Sequence, residues 1–246
     1  MKTFDHDGVR LAYRYQAGAG PMLVFLPGFM SDMTGSKAQA LADWAVMGRR
    51  AMLRLDYSGC GASGGDFLDG SIARWTGDAL AVIEHVAPGA PVVLVGSSMG
   101  GWIALRLGVL LGARLAGLVG IAPAPDFTEW GLEITSADRD ALAVQGWFTR
   151  TSDYDGDGYR YALALIDDAP AQLVLRGDIA ITAPVRLVHG QRDDAVPWRL
   201  SLDIAERLRS DDVQVVLVKD GDHRLSRPQD IARLIAVVAQ LTGETA

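Results

Sequence analysis

Cys60 is the one cysteine in 246 residues, so no disulfide can close within the chain and a small cross-linked secreted scaffold is excluded. Basic residues are also in deficit: 23 Lys and Arg against 30 Asp and Glu leave a net charge of −7. That is the wrong sign for a face that neutralises a nucleic-acid backbone. No run of about 18 apolar residues is present, so no segment reads as a membrane-spanning helix. Repeats and low-complexity tracts are absent, and no group of His and Cys has metal-site spacing. Met1–Asp7 carries neither the apolar stretch of a secretion signal nor the Arg-rich bias of a transit peptide. With an unpaired cysteine, this makes a reducing, cytoplasmic setting the expectation. What is present is 49% hydrophobic residues, enough for a sizeable core in one large α/β domain or two small ones.

The apolar residues fall into short runs separated by amphipathic stretches. Val9–Tyr15 alternates as an antiparallel strand, with Asp7-Gly8 as a hairpin turn before it. Met22–Leu26 is a continuous apolar run ending at Pro27-Gly28, as expected of a strand buried on both faces. Ser36 with Gln39 reads as a capping box for the next helix. Strands follow at Ala51–Leu55, Pro91–Val95, Leu118–Ala122, Val185–His189 and Val213–Val218. Helices are expected from Ser71 to Val86, after Gly100, from Trp198 to Leu208, and at the end, where Ser226 and Gln229 bracket Pro228. Such alternation implies a parallel sheet with right-handed crossovers and an antiparallel N-terminal edge. It lapses between Pro125 and Ala183, where short helices are expected at Ser136–Val144, Tyr161–Ile166 and Ala171–Leu175. The expected division is a core of residues 1–124 and 184–246 with a cap over 125–183.

Gly96-Ser97-Ser98-Met99-Gly100 joins a predicted strand to a predicted helix. G-x-S-x-G in that context is a nucleophile elbow, a turn too sharp for side chains at its flanking glycines. Ser98 is therefore the expected nucleophile. A serine hydroxyl needs a base, and the base an orienting carboxylate. Of the four histidines, His6 precedes the core, His85 ends a helix, and His189 reads as a tight-turn residue packed beneath the site. His223, after the last strand, is the expected base. The acid is expected after the preceding strand at Asp193, with its neighbour Asp194 the alternative and Asp126 a third choice; Asp222 reads as a solvated loop residue. The amides of Met99 and Phe29 are the expected oxyanion donors. Trp130, Leu132, Trp147, Phe148 and Tyr161 are expected either to wall an apolar acyl pocket or to seat the cap on the core.

Two patterns mislead. Gly59-Cys60-Gly61-Ala62-Ser63-Gly64 matches a dinucleotide fingerprint, yet no helix opens within it to receive a pyrophosphate, so a loop near the site mouth is expected. Asp153-Tyr154-Asp155-Gly156-Asp157-Gly158 mimics half of a calcium loop but has Ala164 where the closing Glu belongs, and reads as an exposed acidic turn. Neither a metal nor a cofactor is called for.

Taken together, Leu26–Met33 with Gly35–Ala38, Asp56–Ser63, Gly96–Trp102, His189–Trp198 and Asp222–Arg224 resemble the α/β-hydrolase superfamily along essentially the whole chain. The resemblance is closest to bacterial relatives of a mitochondrial palmitoyl-protein thioesterase and acyl-glucuronide esterase. It implies a mostly parallel eight-stranded sheet with an antiparallel N-terminal edge, helices on both faces and a small helical cap. It also implies Ser98, Asp193 and His223 as the triad, and cleavage of an ester or thioester in a small-molecule or acylated substrate. The same triad serves C–C or amide hydrolases, and the fold also serves non-catalytic ligand receptors; those are the competing expectations.

Overall fold

The computed structural model describes residues 1–151 and 158–243. The elements follow the order β1 (Lys2–His6), β2 (Val9–Gln16), β3 (Ala19–Leu26), α1 (Ser36–Met47), β4 (Arg50–Leu55), α2 (Ile72–Val86), β5 (Val92–Ser97), α3 (Met99–Leu111) and β6 (Leu115–Ile121). After β6 comes an insert with α4 (Phe127–Trp130), α5 (Ser136–Gln145), β7 (Trp147–Arg150), β8 (Tyr159–Ala162) and α6 (Leu163–Asp168). The chain then returns through β9 (Val185–Gly190), α7 (Leu200–Arg207), β10 (Val213–Val218) and α8 (Pro228–Leu241).

Eight strands form one sheet in the order β1-β2-β4-β3-β5-β6-β9-β10. Pairs β1–β2 and β2–β4 are antiparallel and the rest parallel. Asp7 and Gly8 both take positive φ (47° and 78°), the backbone of a two-residue hairpin turn matched to strand twist.

Both faces of the sheet are covered, and the period-2 alternation of side chains sorts the core into two layers. On β3, Met22, Val24 and Leu26 join one cluster while Leu23 and Phe25 join the other. On β5, Val92 and Leu94 oppose Val93 and Val95 in the same way. Helices α2, α3 and α7 cover the first layer, through Trp75, Trp102 and Ile204, and α1 and α8 the second, through Leu41 and Leu234. The parallel strands of one sheet end on the same side, so the loops after β3, β5, β9 and β10 meet along one rim.

Several local expectations need correction. Gly35, not Ser36, is the N-cap of α1, with no side-chain cap bond; the Gln39 carboxamide is engaged by Arg54 and Asp43 instead of reaching back. Arg227 caps α8 in place of Ser226, its guanidinium paired with Asp230. A capping box does form where none was expected, between Thr135 and Asp138 at the start of α5. The insert holds short helices as expected, but also a strand pair that was not. Trp147-Phe148-Thr149-Arg150 pairs antiparallel with Tyr159-Arg160-Tyr161-Ala162, so Tyr161 lies in a strand and its helix starts at Leu163. On β8 the alternation Tyr159-Arg160-Tyr161 outweighed helical spacing, and across the pair Phe148 stacks on Tyr161 at 5.4 Å. No helix forms at Ala171–Leu175: a 3₁₀ turn over Ala169–Ala171 ends there and Gln172–Leu175 is irregular, with the Asp126 carboxylate accepting from the amides of Val174 and Leu175.

Candidate active site

Ser98 sits between the end of β5 and the start of α3 at φ 55°, ψ −120°, a conformation costing a residue with a Cβ about 1–3 kcal/mol. The neighbourhood over-determines it. The Ser98 amide donates to the Ile121 carbonyl at 2.9 Å, and its own carbonyl accepts from Gly101 at 2.8 Å and Ala124 at 3.0 Å. A Cβ on Gly96 would lie 2.2 Å from the Gly100 carbonyl oxygen, and one on Gly100 would lie 2.1 Å from that of Leu26. Glycine at both positions is a packing requirement of the turn.

His223, on the loop after β10, reaches both ways: Nε2 lies 3.2 Å from Ser98 Oγ and Nδ1 2.8 Å from Asp193 Oδ2. A carboxylate only accepts, so Nδ1 carries the proton and Nε2 presents its lone pair to the serine hydroxyl. Asp193, on the loop after β9, has a fully buried side chain. Its Oδ1 accepts from the amides of Ala195 (3.0 Å) and Val196 (2.7 Å). Burial by itself would raise this carboxyl, but hydrogen bonds from His189 and His223, the His223 charge and the Val196 amide together hold it well below the ordinary carboxylate range.

The other acidic candidates lie elsewhere. Asp194 is exposed. Asp126 is spent on Val174 and Leu175, and burial foremost raises its carboxyl despite those two amides. Asp222 is exposed and accepts from the Leu225 amide within its own loop. His85 stacks on Phe4 at 4.2 Å, far from any of these groups in the chain's order of strands. His189 is fully buried beneath the site as expected, but it does more than pack: Nε2 lies 3.1 Å from Asp193 Oδ2. Sequence reasoning missed this contact, although the spacing of four residues across a tight turn after a strand was its available signal.

A cavity of about 410 Å³ opens over Ser98, a volume typical of small-molecule sites. Phe29, Met99 and His223 border it. Gly28 leaves the approach open; a Cβ there would stand 3.5 Å from the Ser98 Cβ. Phe29 is the centre of an aromatic wall, stacked on Tyr161 at 5.1 Å and edge-on to Phe127 and Tyr159. Burial, then the neighbouring Tyr159, pushes the Tyr161 phenol up to about 12. Of the five expected pocket residues, Trp130 and Tyr161 line the cavity. Leu132 and Phe148 do not; they are buried with Leu142 in the insert's own small core. Trp147 does not either, and stands under the Arg160 guanidinium. Phe127, Tyr159 and Lys37 line the cavity without having been anticipated; Tyr159 was detectable, two residues from Tyr161 on one strand face.

The glycine-rich stretch 59–64 closes as a loop, with the Gly59 amide on the Gly64 carbonyl and Asp56 filling its centre. Burial foremost pushes the Cys60 thiol up to about 12, which disqualifies it as a nucleophile. The acidic turn at 153–157 lies outside the described residues. Among the described residues, no helix is long and apolar enough to cross a membrane.

The chain is similar to known proteins along nearly its whole length. The mouse protein named palmitoyl-protein thioesterase ABHD10, mitochondrial, is 37% identical over 94% of this chain and 78% of its own length. The crystal structure of a protein from Agrobacterium vitis S4 superposes with a TM-score of 0.92 at 42% identity, covering 98% of this chain and 97% of that one. The structure of alpha/beta hydrolase domain-containing protein 10 from mouse gives a TM-score of 0.89 at 34% identity, again over 98% and 97%. Residues 23–234 match the alpha/beta hydrolase family, and the chain belongs to that family.

Proposed function

We propose that this protein is a serine hydrolase that cleaves carboxylic esters or thioesters through an acyl-enzyme on Ser98. The observation that carries the reading is the continuous relay from the Ser98 hydroxyl through His223 to the buried Asp193, at 3.2 and 2.8 Å. Ser98 Oγ bonds to the acyl carbon as its proton passes to His223 Nε2, and the carbonyl π electrons move onto oxygen. Phe29 and Met99 N–H groups hold that oxyanion; Met99 is the first residue of α3, where an amide has no acceptor within the helix. Collapse breaks the bond to the leaving oxygen or sulfur, which takes the proton from His223. Water then adds to the acyl carbon, giving its proton to His223, and the same collapse returns the proton to Ser98 and releases the acid. Asp193 orients the imidazole and stabilises its cationic form.

Residues 125–183 act as a cap in this scheme, and the rings of Phe29, Phe127, Tyr159 and Tyr161 receive the acyl group. The name of the mouse relative favours a thioester substrate. The test is labelling with a fluorophosphonate probe, followed by turnover of matched oxygen and sulfur esters across acyl lengths. Wild type is expected to label and turn over both ester types, and Ser98→Ala to do neither. Equal labelling of Ser98→Ala would remove the proposal, while tight binding of acyl compounds without turnover would favour a receptor.

A further inference from the structure

Lys37 occupies an unfavourable place for a lysine. It lies in the first turn of α1, where the helix amides already concentrate positive potential. It is half-buried on the cavity wall, beside a second cation, Arg224. Burial foremost brings its ammonium down to about 8; Arg224 adds to the fall and Asp222 opposes it. The contact that offsets these costs is specific: Nζ donates to the Arg224 backbone carbonyl at 2.5 Å, across 187 positions of chain.

Arg224 directly follows His223, and the opposite flank of their loop is secured separately. The Arg192 amide donates to the Gly221 carbonyl at 2.9 Å, and a Cβ on Gly190 would lie 2.3 Å from that same oxygen. Those contacts bind the loop to the Asp193 side. Helix α1 follows the Phe29 loop, so the Lys37 bond tethers the loop on the other side. The two bonds of His223 differ accordingly: the one to Asp193 is 2.8 Å and the one to Ser98 is 3.2 Å, so the second is the one a slack loop releases first.

We propose that Lys37 is a positioning residue for His223, holding the loop after β10 against the start of α1 so that Nε2 stays within reach of the Ser98 hydroxyl. The inference rests on the reading of Ser98 and His223 as nucleophile and base. As an ammonium, Lys37 makes a charge-assisted bond, roughly twice as strong as the bond a neutral amine would make. Asp222 and Arg224 on the His223 loop act on its charge, and the titratable groups His223 and Asp32, whose Oδ1 accepts from Thr34, line the same cavity.

The experiment is steady-state hydrolysis of p-nitrophenyl butanoate by wild type, Lys37→Met and Lys37→Arg from pH 6 to 10. Lys37→Met is expected to lower kcat about 10-fold with KM moved less than about 2-fold, as for an interaction that matters in the transition state. Its downfield His223 Nδ1–H proton resonance is expected to persist, because the Asp193 side remains anchored. Lys37→Arg is expected to restore kcat and to keep it above pH 8, where wild type declines, since a guanidinium stays charged. Wild-type kcat in Lys37→Met, or coincident alkaline profiles for wild type and Lys37→Arg, would overturn the inference. The second comparison holds even where Lys37→Met does not fold. Wild type that resists the fluorophosphonate overturns the underlying reading; full labelling with undiminished kcat in Lys37→Met overturns this inference alone.

Discussion

His189 Nε2 lies 3.1 Å from Asp193 Oδ2, the same oxygen that accepts from His223. The second ring nitrogen of His189 is 2.7 Å from Ser201 Oγ, and Nε2 also faces the Val196 carbonyl at 3.2 Å. With two acceptors before it, Nε2 carries a proton, and the Ser201 hydroxyl serves Nδ1 as donor or acceptor. His189 is thus a buried donor that helps fix the carboxylate. Replacing it by Phe takes one donor away from a buried carboxylate oxygen, so His189→Phe is expected to destabilise by about 1–3 kcal/mol in urea unfolding and to lower kcat; His189→Gln is expected to restore part of both.

Asp193 also sets an acid-side dependence of stability. Its carboxyl in the folded protein lies well below its ordinary value. A depressed carboxyl contributes stability that is present above the unfolded-state value, about 3.9, and is lost as pH falls toward the folded value. Asp193→Asn is expected to flatten this part of the stability profile between about pH 5 and 2. Chemical unfolding of both proteins across that range checks it; parallel profiles would refute it.

Backbone strain at Ser98 predicts a trade between stability and activity. Glycine enters φ 55°, ψ −120° without a Cβ clash, so Ser98→Gly is expected to raise stability by about 1–2 kcal/mol while abolishing turnover. Ser98→Ala keeps the strain and is expected to be near wild type in stability. A thermal or urea comparison of the three decides it.

The turn itself tolerates no added bulk. Gly100→Ala would place a methyl group 2.1 Å from the Leu26 carbonyl oxygen and 2.6 Å from that of Pro27, backbone atoms that also position Phe29. Loss of more than about 3 kcal/mol, or no folded protein, is the expected outcome. Gly77→Ala, in the middle of α2 with open space around it, is the control and is expected to be neutral or stabilising by up to about 1 kcal/mol.

Acyl selectivity should follow the rings that line the cavity and not those that only seat the insert. Tyr161→Ala removes a ring stacked on Phe29 and is expected to move the preferred acyl length upward in an ester series. Trp147→Leu, away from the cavity, is expected to leave the preferred length in place. A shift of equal size in both would contradict the assignment of the wall.

Much of the architecture was legible because it depends on local periodicity. Continuous apolar runs such as Met22–Leu26 and Val92–Val95 can be satisfied only by strands covered on both faces, and G-x-S-x-G between strand and helix marks the strained turn at Ser98. Chain order then leads to His223 and Asp193. Capping was less legible, since Gln39 and Arg227 had competing partners that no local pattern reveals.

What the order of residues determined alone was the alternation of elements, the burial of the parallel strands and the place of Ser98 at a strand end. These follow from side-chain period and steric exclusion within a few residues. The tertiary structure decided the rest: the β7–β8 pair, the use of Asp126 to hold the insert, the second donor to Asp193 from His189, and the reach of Lys37 to Arg224. Each of these joins groups whose separation in the chain says nothing of their separation in space, and each is set by desolvation and hydrogen bonding that exist only once the sheet and its loops have closed.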